Sequence, residues 1–333
     1  MPCPSRRLPW YGPAVFTLAE PPLFARLRDA RSVLIAGAGG GFDVFAGLPL
    51  GIALTDLGKR VHFANLSFVT VDQLPSPIRL LPGLAAVGAN TPGHDGYFPE
   101  RALAAWLRRN GFPDTVYAFA RSGVMPLRAS YRRLVKDLDI DAIVLVDGGT
   151  DILLRGDEES LGTPEEDMTS LAAVAGVDVP TRLVVSLGFG IDAYHGVCHV
   201  HVLENLAALT RAGHYLGALS IPRESREGRL FLDAVAEANR ATPQRPSIVQ
   251  GSVAAALDGR FGDAQFTERT GNGELFINPL MGLYFAVDLI GLAEHSLYLE
   301  RLEGSRTRWD VAQRIRDFRD ETATTRPWRA IPH

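Results

Sequence analysis

The side chains best placed to do chemistry in this chain are carboxylates that follow glycines. Residues 33–54 read VLIAGAGGGFDVFAGLPLGIAL, where an apolar run ends in Gly37, Gly39, Gly40 and Gly41 and Asp43 follows. The same order recurs at DGGTDILLRGDEESLGTPEED, which begins at Asp147 and brings Gly148, Gly149, Asp151, Asp157 and Glu158. It recurs again at GFGIDAYHGVCHVHVLEN, with Gly190, Asp192 and His195. Glycines let a ligand come close to the backbone and tolerate positive φ. Amides at a following helix start would then face the ligand. Carboxylates beside such turns suit a cation, sugar hydroxyls or an amino group. The reading therefore assigns ligand binding to Gly39, Gly40, Gly41, Asp43, Asn65, Gly148, Gly149, Asp157, Glu158 and Gly190. It assigns catalysis to Asp147, Asp151, Asp192 and His195, with Asp192 or His195 as general acid/base. Asp43, Asp147 and Asp151 are the candidate ligands for a divalent cation, and oxygen donors favour magnesium or calcium over zinc.

These turns need a frame that brings them together. Short apolar runs alternate with helical patterns, which predicts strands at 32–37, 60–68, 115–120, 142–147, 182–188, 214–220 and 247–250, with 274–278 as an eighth candidate. Several runs are apolar throughout, as in strands covered on both faces. Helical patterns fall at 98–111, 126–138, 165–176, 198–213 and 225–240, and Gly111 and Gly213 stand where helix ends are expected. The β/α alternation predicts an α/β protein with a doubly wound, mostly parallel sheet of seven or eight strands and helices on both faces. A Rossmann-like frame of this kind places ligands beyond the carboxyl ends of the strands. Residues 37–43 should then form the floor of the site, with their amides facing the same cavity as Asp147 and Asp151. The expected organisation is an N-terminal arm (1–31), one α/β domain (32–300) and a C-terminal helix and tail (301–333). The proline- and glycine-rich stretch 70–99 reads as a long loop.

Several familiar signatures fail on inspection. A dinucleotide fingerprint, G-x-G-x-x-G/A, puts Phe42 or Val44 where a small residue belongs, and the second strand offers Asn65 in place of an acid. No G-K-[ST] follows the glycines, which excludes a P-loop. TPEED is a good helix start, with Thr163 as the cap, Pro164 behind it and Glu165, Glu166 and Asp167 in the first turn, so these acids are read as structural. His195, Cys198, His199 and His201 do not have a standard zinc spacing, and His199 and His201 on one helix would point apart.

Composition narrows the classes further. The 333 residues carry a net charge of −4 with both signs interspersed, which offers nothing to nucleic acid or an anionic membrane. No run approaches the ~20 apolar residues of a membrane span, and the N-terminus lacks the apolar core of a signal peptide. Two cysteines far apart in sequence give no disulfide framework, so the expectation is a cytoplasmic protein. The apolar segment INPLMGLYFAVDLIGLAEHSLYLERL (277–302) reads as a helix against the sheet or a homodimer face.

Taken together, GAGGGFDVFAGLPL, VLVDGGTDILLRGDEESLGTPEED and GFGIDAYHGV resemble domain-of-unknown-function family 1152 over about Ser32 to Leu292. That resemblance implies a soluble prokaryotic α/β protein and no particular activity. A second likeness, in style only, is to nucleoside hydrolases, whose glycine–aspartate loops hold calcium and ribose hydroxyls. The paired aspartates of their first loop are absent here, since Val44 follows Asp43. The expected function is an enzyme acting on a small polar metabolite, such as a nucleoside, glycoside or sugar-phosphate-like compound, by hydrolysis or group transfer. The alternative is a non-catalytic metabolite- or nucleotide-binding regulator.

Overall fold

In the computed structural model, residues 16–93, 96–263, 275–322 and 324–331 are described. Eleven strands occur among them: β1 (Ser32–Gly37), β2 (Arg60–Ser67), β3 (Arg79–Leu81), β4 (Leu84–Val87), β5 (Val116–Ala120), β6 (Ala142–Asp147), β7 (Thr181–Leu187), β8 (Tyr215–Ser220), β9 (Gly262–Asp263), β10 (Phe276–Ile277) and β11 (Leu283–Asp288). Nine of them form one sheet in the order β3-β4-β5-β2-β1-β6-β7-β11-β8, while β9 and β10 pair separately. The centre, β5-β2-β1-β6-β7, is parallel throughout. β1 and β6 are fully buried along their length, which explains why their sequences are apolar runs with no alternation. The sheet is antiparallel at its flanks, where β4 runs against β5 and β11 against both β7 and β8.

Helices cover both faces, and the two faces have separate cores. On one side lie the helices Leu48–Asp56, Pro99–Arg109 and Arg226–Ala241, which contribute Leu48, Ile52, Trp106 and Phe231. On the other lie Val124–Asp137, Pro164–Ala175, His199–Ala212 and Arg308–Glu321, which contribute Tyr131, Leu171, Leu206 and Ile315. The connections from β1 and β2 use the first face and those from β5 and β6 use the second. The winding therefore reverses between β1 and β6, as in a Rossmann-like fold. Their adjacent carboxyl ends bring the turns after Gly37 and Asp147 side by side.

The differences from the sequence reading have local causes. Residues 247–250 begin a helix, Ile248–Leu257, because Ser247 accepts a hydrogen bond from the Gln250 amide and an alanine-rich stretch continues the turn. The candidate strand at 274–278 narrows to β10 within the described residues, outside the main sheet. LYFAVD within the supposed helix 277–302 is β11, which explains its apolarity by burial within the chain between β7 and β8. Part of the loop at 70–99 is the edge hairpin β3–β4. Of the expected arm, residues 1–15 lie outside the described residues, and the helix Pro22–Arg26 packs Leu23 into the core. The C-terminal helix Arg308–Glu321 likewise buries Val311, Ile315 and Phe318. No helix among the described residues is long and apolar enough to cross a membrane.

Candidate functional site

Five aspartates converge at the carboxyl ends of β1, β6 and β7. Asp43 opens the short helix after the glycine turn, Asp147 ends β6, Asp151 starts the next turn, Asp167 lies in the first turn of Pro164–Ala175, and Asp192 follows β7. All but Asp43 are buried, and Asp43 is half-buried. Oxygens of Asp43, Asp147 and Asp167 lie within 4.8 Å of one another. Asp192 is anchored from Thr150, whose amide and hydroxyl both donate to Oδ2 at 2.6 and 3.3 Å. Asp151 is held similarly by the amide and hydroxyl of Thr163, at 2.8 and 3.1 Å.

Among the described residues no lysine or arginine pairs with any of the five, so burial raises every one of these carboxyl pKa values. For Asp43 burial outweighs hydrogen bonds from the Gly39, Gly148 and Gly40 amides and pushes the carboxyl up to about 7. Asp147 and Asp167 lie well above the ordinary range, through burial first and then the other carboxylates around them. Asp192 also lies well above it, from burial and the charge of Asp151. Asp151 is raised by burial, against the opposing hydrogen bonds from Thr163. Packing so many acids without counter-charge is costly unless protons or a cation compensate.

The glycine turn does something other than what its composition suggested. Its amides face inward: Gly39 N–H donates to Asp43 Oδ2 at 2.8 Å, and Gly41 N–H donates to the Leu66 carbonyl at 3.2 Å. The turn therefore cradles a carboxylate and leaves the Gly39 and Gly41 amides no free direction toward an anion. Gly40 and Gly41 have φ of +90° and +62°, which β-carbon-bearing residues rarely adopt. Gly149 leaves room for Asp192, since a Cβ there would lie 2.8 Å from Asp192 Oδ2.

A cavity of about 500 Å³ opens in front of the cluster. Gly40, Gly41, Asp43, Asp192 and His195 line it, and Phe42, Phe68, Tyr97 and Tyr194 supply aromatic surface. Phe68 and Tyr97 stack with centroids 6.4 Å apart and planes 13° apart, and the Arg121 guanidinium lies 4.9 Å from the Phe68 centroid.

The remaining assignments divide. Asn65 is buried behind the turn, where its Nδ2 donates to the Gly41 carbonyl at 2.8 Å and to Glu100 Oε1 at 2.7 Å; it buttresses the floor and does not line the cavity. Gly190 is left-handed, with φ +97°, and shapes the turn that carries Asp192. Gly148 sits against Asp43 and Gln250. Asp157 and Glu158 are not brought to the cluster. Arg326 donates to both at 2.7 and 2.8 Å, and the Arg155 and Gly156 amides and Asn205 complete the shell of Glu158. In the candidate metal trio Asp167 stands in place of Asp151, whose Oδ2 is held by Thr163. Cys198 bonds the Arg329 carbonyl at 3.2 Å, and no His or Cys belongs to a metal-binding group among the described residues.

Sequence reasoning missed the aromatic wall and the inward role of Asp167. Phe68 immediately follows β2, and Tyr97 sits in the irregular stretch before a helix; neither position carries a pattern that marks a cavity.

No curated protein and no solved structure matches the chain. A family model described as protein of unknown function (DUF1152) does match, over residues 34–322. The chain belongs to the DUF1152 family of proteins of unknown function.

Proposed function

We propose that this protein is an enzyme that acts on a small polar metabolite by hydrolysis or group transfer. The observation that carries this reading is a cavity of about 500 Å³ lined by Asp43 and Asp192, with Asp147 and Asp167 buried beside Asp43 at the strand ends. That volume accommodates a nucleoside, a glycoside or a sugar phosphate. Asp43 offers a carboxylate to substrate hydroxyls or a divalent cation at the floor, with Asp147 and Asp151 behind it. Asp192 and His195 also line the cavity and are the candidates for general acid/base work, with Asp192 oriented by Thr150. The stacked Phe68 and Tyr97 suit a planar or apolar ligand face, and this favours the nucleoside-like end of the range.

Thermal-shift screening of the full chain against nucleosides, glycosides and sugar phosphates tests the reading when combined with mass spectrometry of each stabilising compound. The expected result is one compound class that stabilises the protein and is converted, with conversion lost in Asp192→Asn. A ligand that binds tightly and is recovered unchanged would favour the regulatory alternative. No response to any class would remove the basis for both.

A further inference from the structure

We infer that Asp43, Asp147 and Asp167, with Gln250 beside them, form a site for one hard divalent cation, magnesium or calcium. The inference deepens the reading of this cleft as the functional site. It begins from geometry. Three carboxylate oxygens that all lie within 4.8 Å of one another can surround a common centre no more than about 2.8 Å from each, close to the 2.3–2.6 Å of calcium–oxygen bonds and within a small inward shift of the 2.0–2.1 Å of magnesium. Only oxygen donors meet there, which selects hard cations over zinc or copper.

An acidic cluster alone would not establish a site. The independent observation is Gln250, which is 1% exposed and has neither Oε1 nor Nε2 hydrogen-bonded. A buried carboxamide without partners is costly. Its Nε2 and Asp43 Oδ1 flank the same point: a Cβ placed on Gly148 would be 3.0 Å from Nε2 and 2.7 Å from Asp43 Oδ1. Because the carboxamide can turn over, its oxygen can be presented to the same space. Asp147 Oδ2 and Asp167 Oδ1 are likewise buried without a hydrogen-bond partner.

The surrounding backbone leaves room. A Cβ on Gly39 would lie 2.7 Å from Asp43 Oδ2 and 2.8 Å from Asp167 Oδ1, so the glycine keeps the gap between two of the ligands clear. Asp43 lines the large cavity and gives an ion access from solvent. Three carboxylates leave a net charge of −1 around a divalent ion, and the coordination positions left by the protein can take water or a substrate oxygen.

The test uses the full chain stripped with chelator at pH 8, with Mg²⁺ or Ca²⁺ alone as the probe, followed by isothermal titration calorimetry and thermal denaturation. Wild type is expected to bind one ion saturably and to melt at higher temperature with it. Asp167→Asn is expected to weaken binding at least about tenfold, while Asp157→Asn, outside the cluster, binds as wild type. Since Asp167→Asn removes like-charge repulsion, the ion-free variant is expected to melt above ion-free wild type and gain little from added ion. Asp147→Asn serves as the second variant, with the same expectation. Failure of wild type to bind either ion, or unchanged binding in both variants, would overturn the site. Because no substrate is involved, that failure would leave the metabolite-processing reading to its own screen.

Discussion

Glu100 gives the clearest measurable consequence of burying acid beneath the glycine turn. It sits in the first turn of Pro99–Arg109, fully buried, and its Oε1 accepts from Asn65 Nδ2, which donates separately to the Gly41 carbonyl. Burial pushes its carboxyl from 4.5 up to about 7, against opposing hydrogen bonds from Asn65, its own amide and Ser67. A raised carboxyl pKa means that the folded state prefers the protonated acid. Its contribution to stability is therefore fully present below about pH 4.5 and is lost as pH rises through about 7. With ~1.36 kcal/mol per pKa unit, linkage gives a loss of about 2.5 kcal/mol from this group between pH 5 and pH 8. Water drawn in around the ionised group would reduce that figure, so it is a ceiling. Glu100→Gln keeps the shape and the acceptor for Asn65 but cannot ionise. Urea unfolding of both proteins at the two pH values, with chelator present, isolates the effect, since the five aspartates contribute alike to each. Wild type should lose about 1–2.5 kcal/mol more than Glu100→Gln on going from pH 5 to pH 8. Parallel losses in the two proteins would refute the assignment of a buried, proton-holding carboxyl to Glu100.

Other substitutions probe separate features. Gly40→Ala forces a β-carbon into a φ of +90° and to 2.7 Å from the Leu66 carbonyl oxygen; it should cost about 1–3 kcal/mol in chemical denaturation, and wild-type stability would contradict this. Tyr131 is fully buried with its hydroxyl unpartnered among the described residues. Tyr131→Phe should therefore be neutral or stabilising by up to about 1 kcal/mol, and a destabilisation larger than that would reveal an unseen partner. Arg326→Ala strips the guanidinium from the fully buried Glu158 as well as from Asp157 and Glu204. A loss of about 2–3 kcal/mol is expected, and an unchanged melting temperature would show that the amides and Asn205 alone sustain Glu158.

The central sheet was legible because its strands are buried on both faces and write continuous apolar runs between amphipathic helices. β1, β2, β5, β6 and β7 all fall where those runs lie. The flanks were legible only in part: β8 falls on the run at 214–220, while β3, β4 and β11 were not read as strands, for a physical reason. β11 is six residues of apolar sequence inside a longer apolar stretch, and a short run of that kind fits a buried helix as well as a strand. Its insertion between β7 and β8 depends on pairing partners more than sixty residues distant in sequence, which no local window contains. SIVQ failed in the other direction. Two β-branched residues suggested a strand, yet the Ser247 cap and the alanines that follow make a helix.

Asp167 shows the same tension at the site itself. Local rules read TPEED as a helix start whose acids complement the helix dipole, and the helix does begin at Pro164. Its cap residue, however, points elsewhere. Both the amide and the hydroxyl of Thr163 hold Asp151, and Thr163 makes no side-chain cap to its own helix. The signal that Asp167 faces inward lies further along the helix. Every residue from Asp167 to Val174 is buried, and MTSLAAVA after Asp167 is free of charge, so the helix is covered on all sides there and not along one stripe. That covered stretch begins at Asp167, while Glu165 and Glu166 remain partly exposed. Ser170 then fixes the rotation by donating to the Ala38 carbonyl at 2.8 Å, so the helix is tied directly to the glycine turn that cradles Asp43. A carboxylate that opens an uncharged, fully covered helical stretch after a glycine–aspartate turn is accordingly a stronger indication of a site than the same carboxylate counted as one of three acids in a first turn.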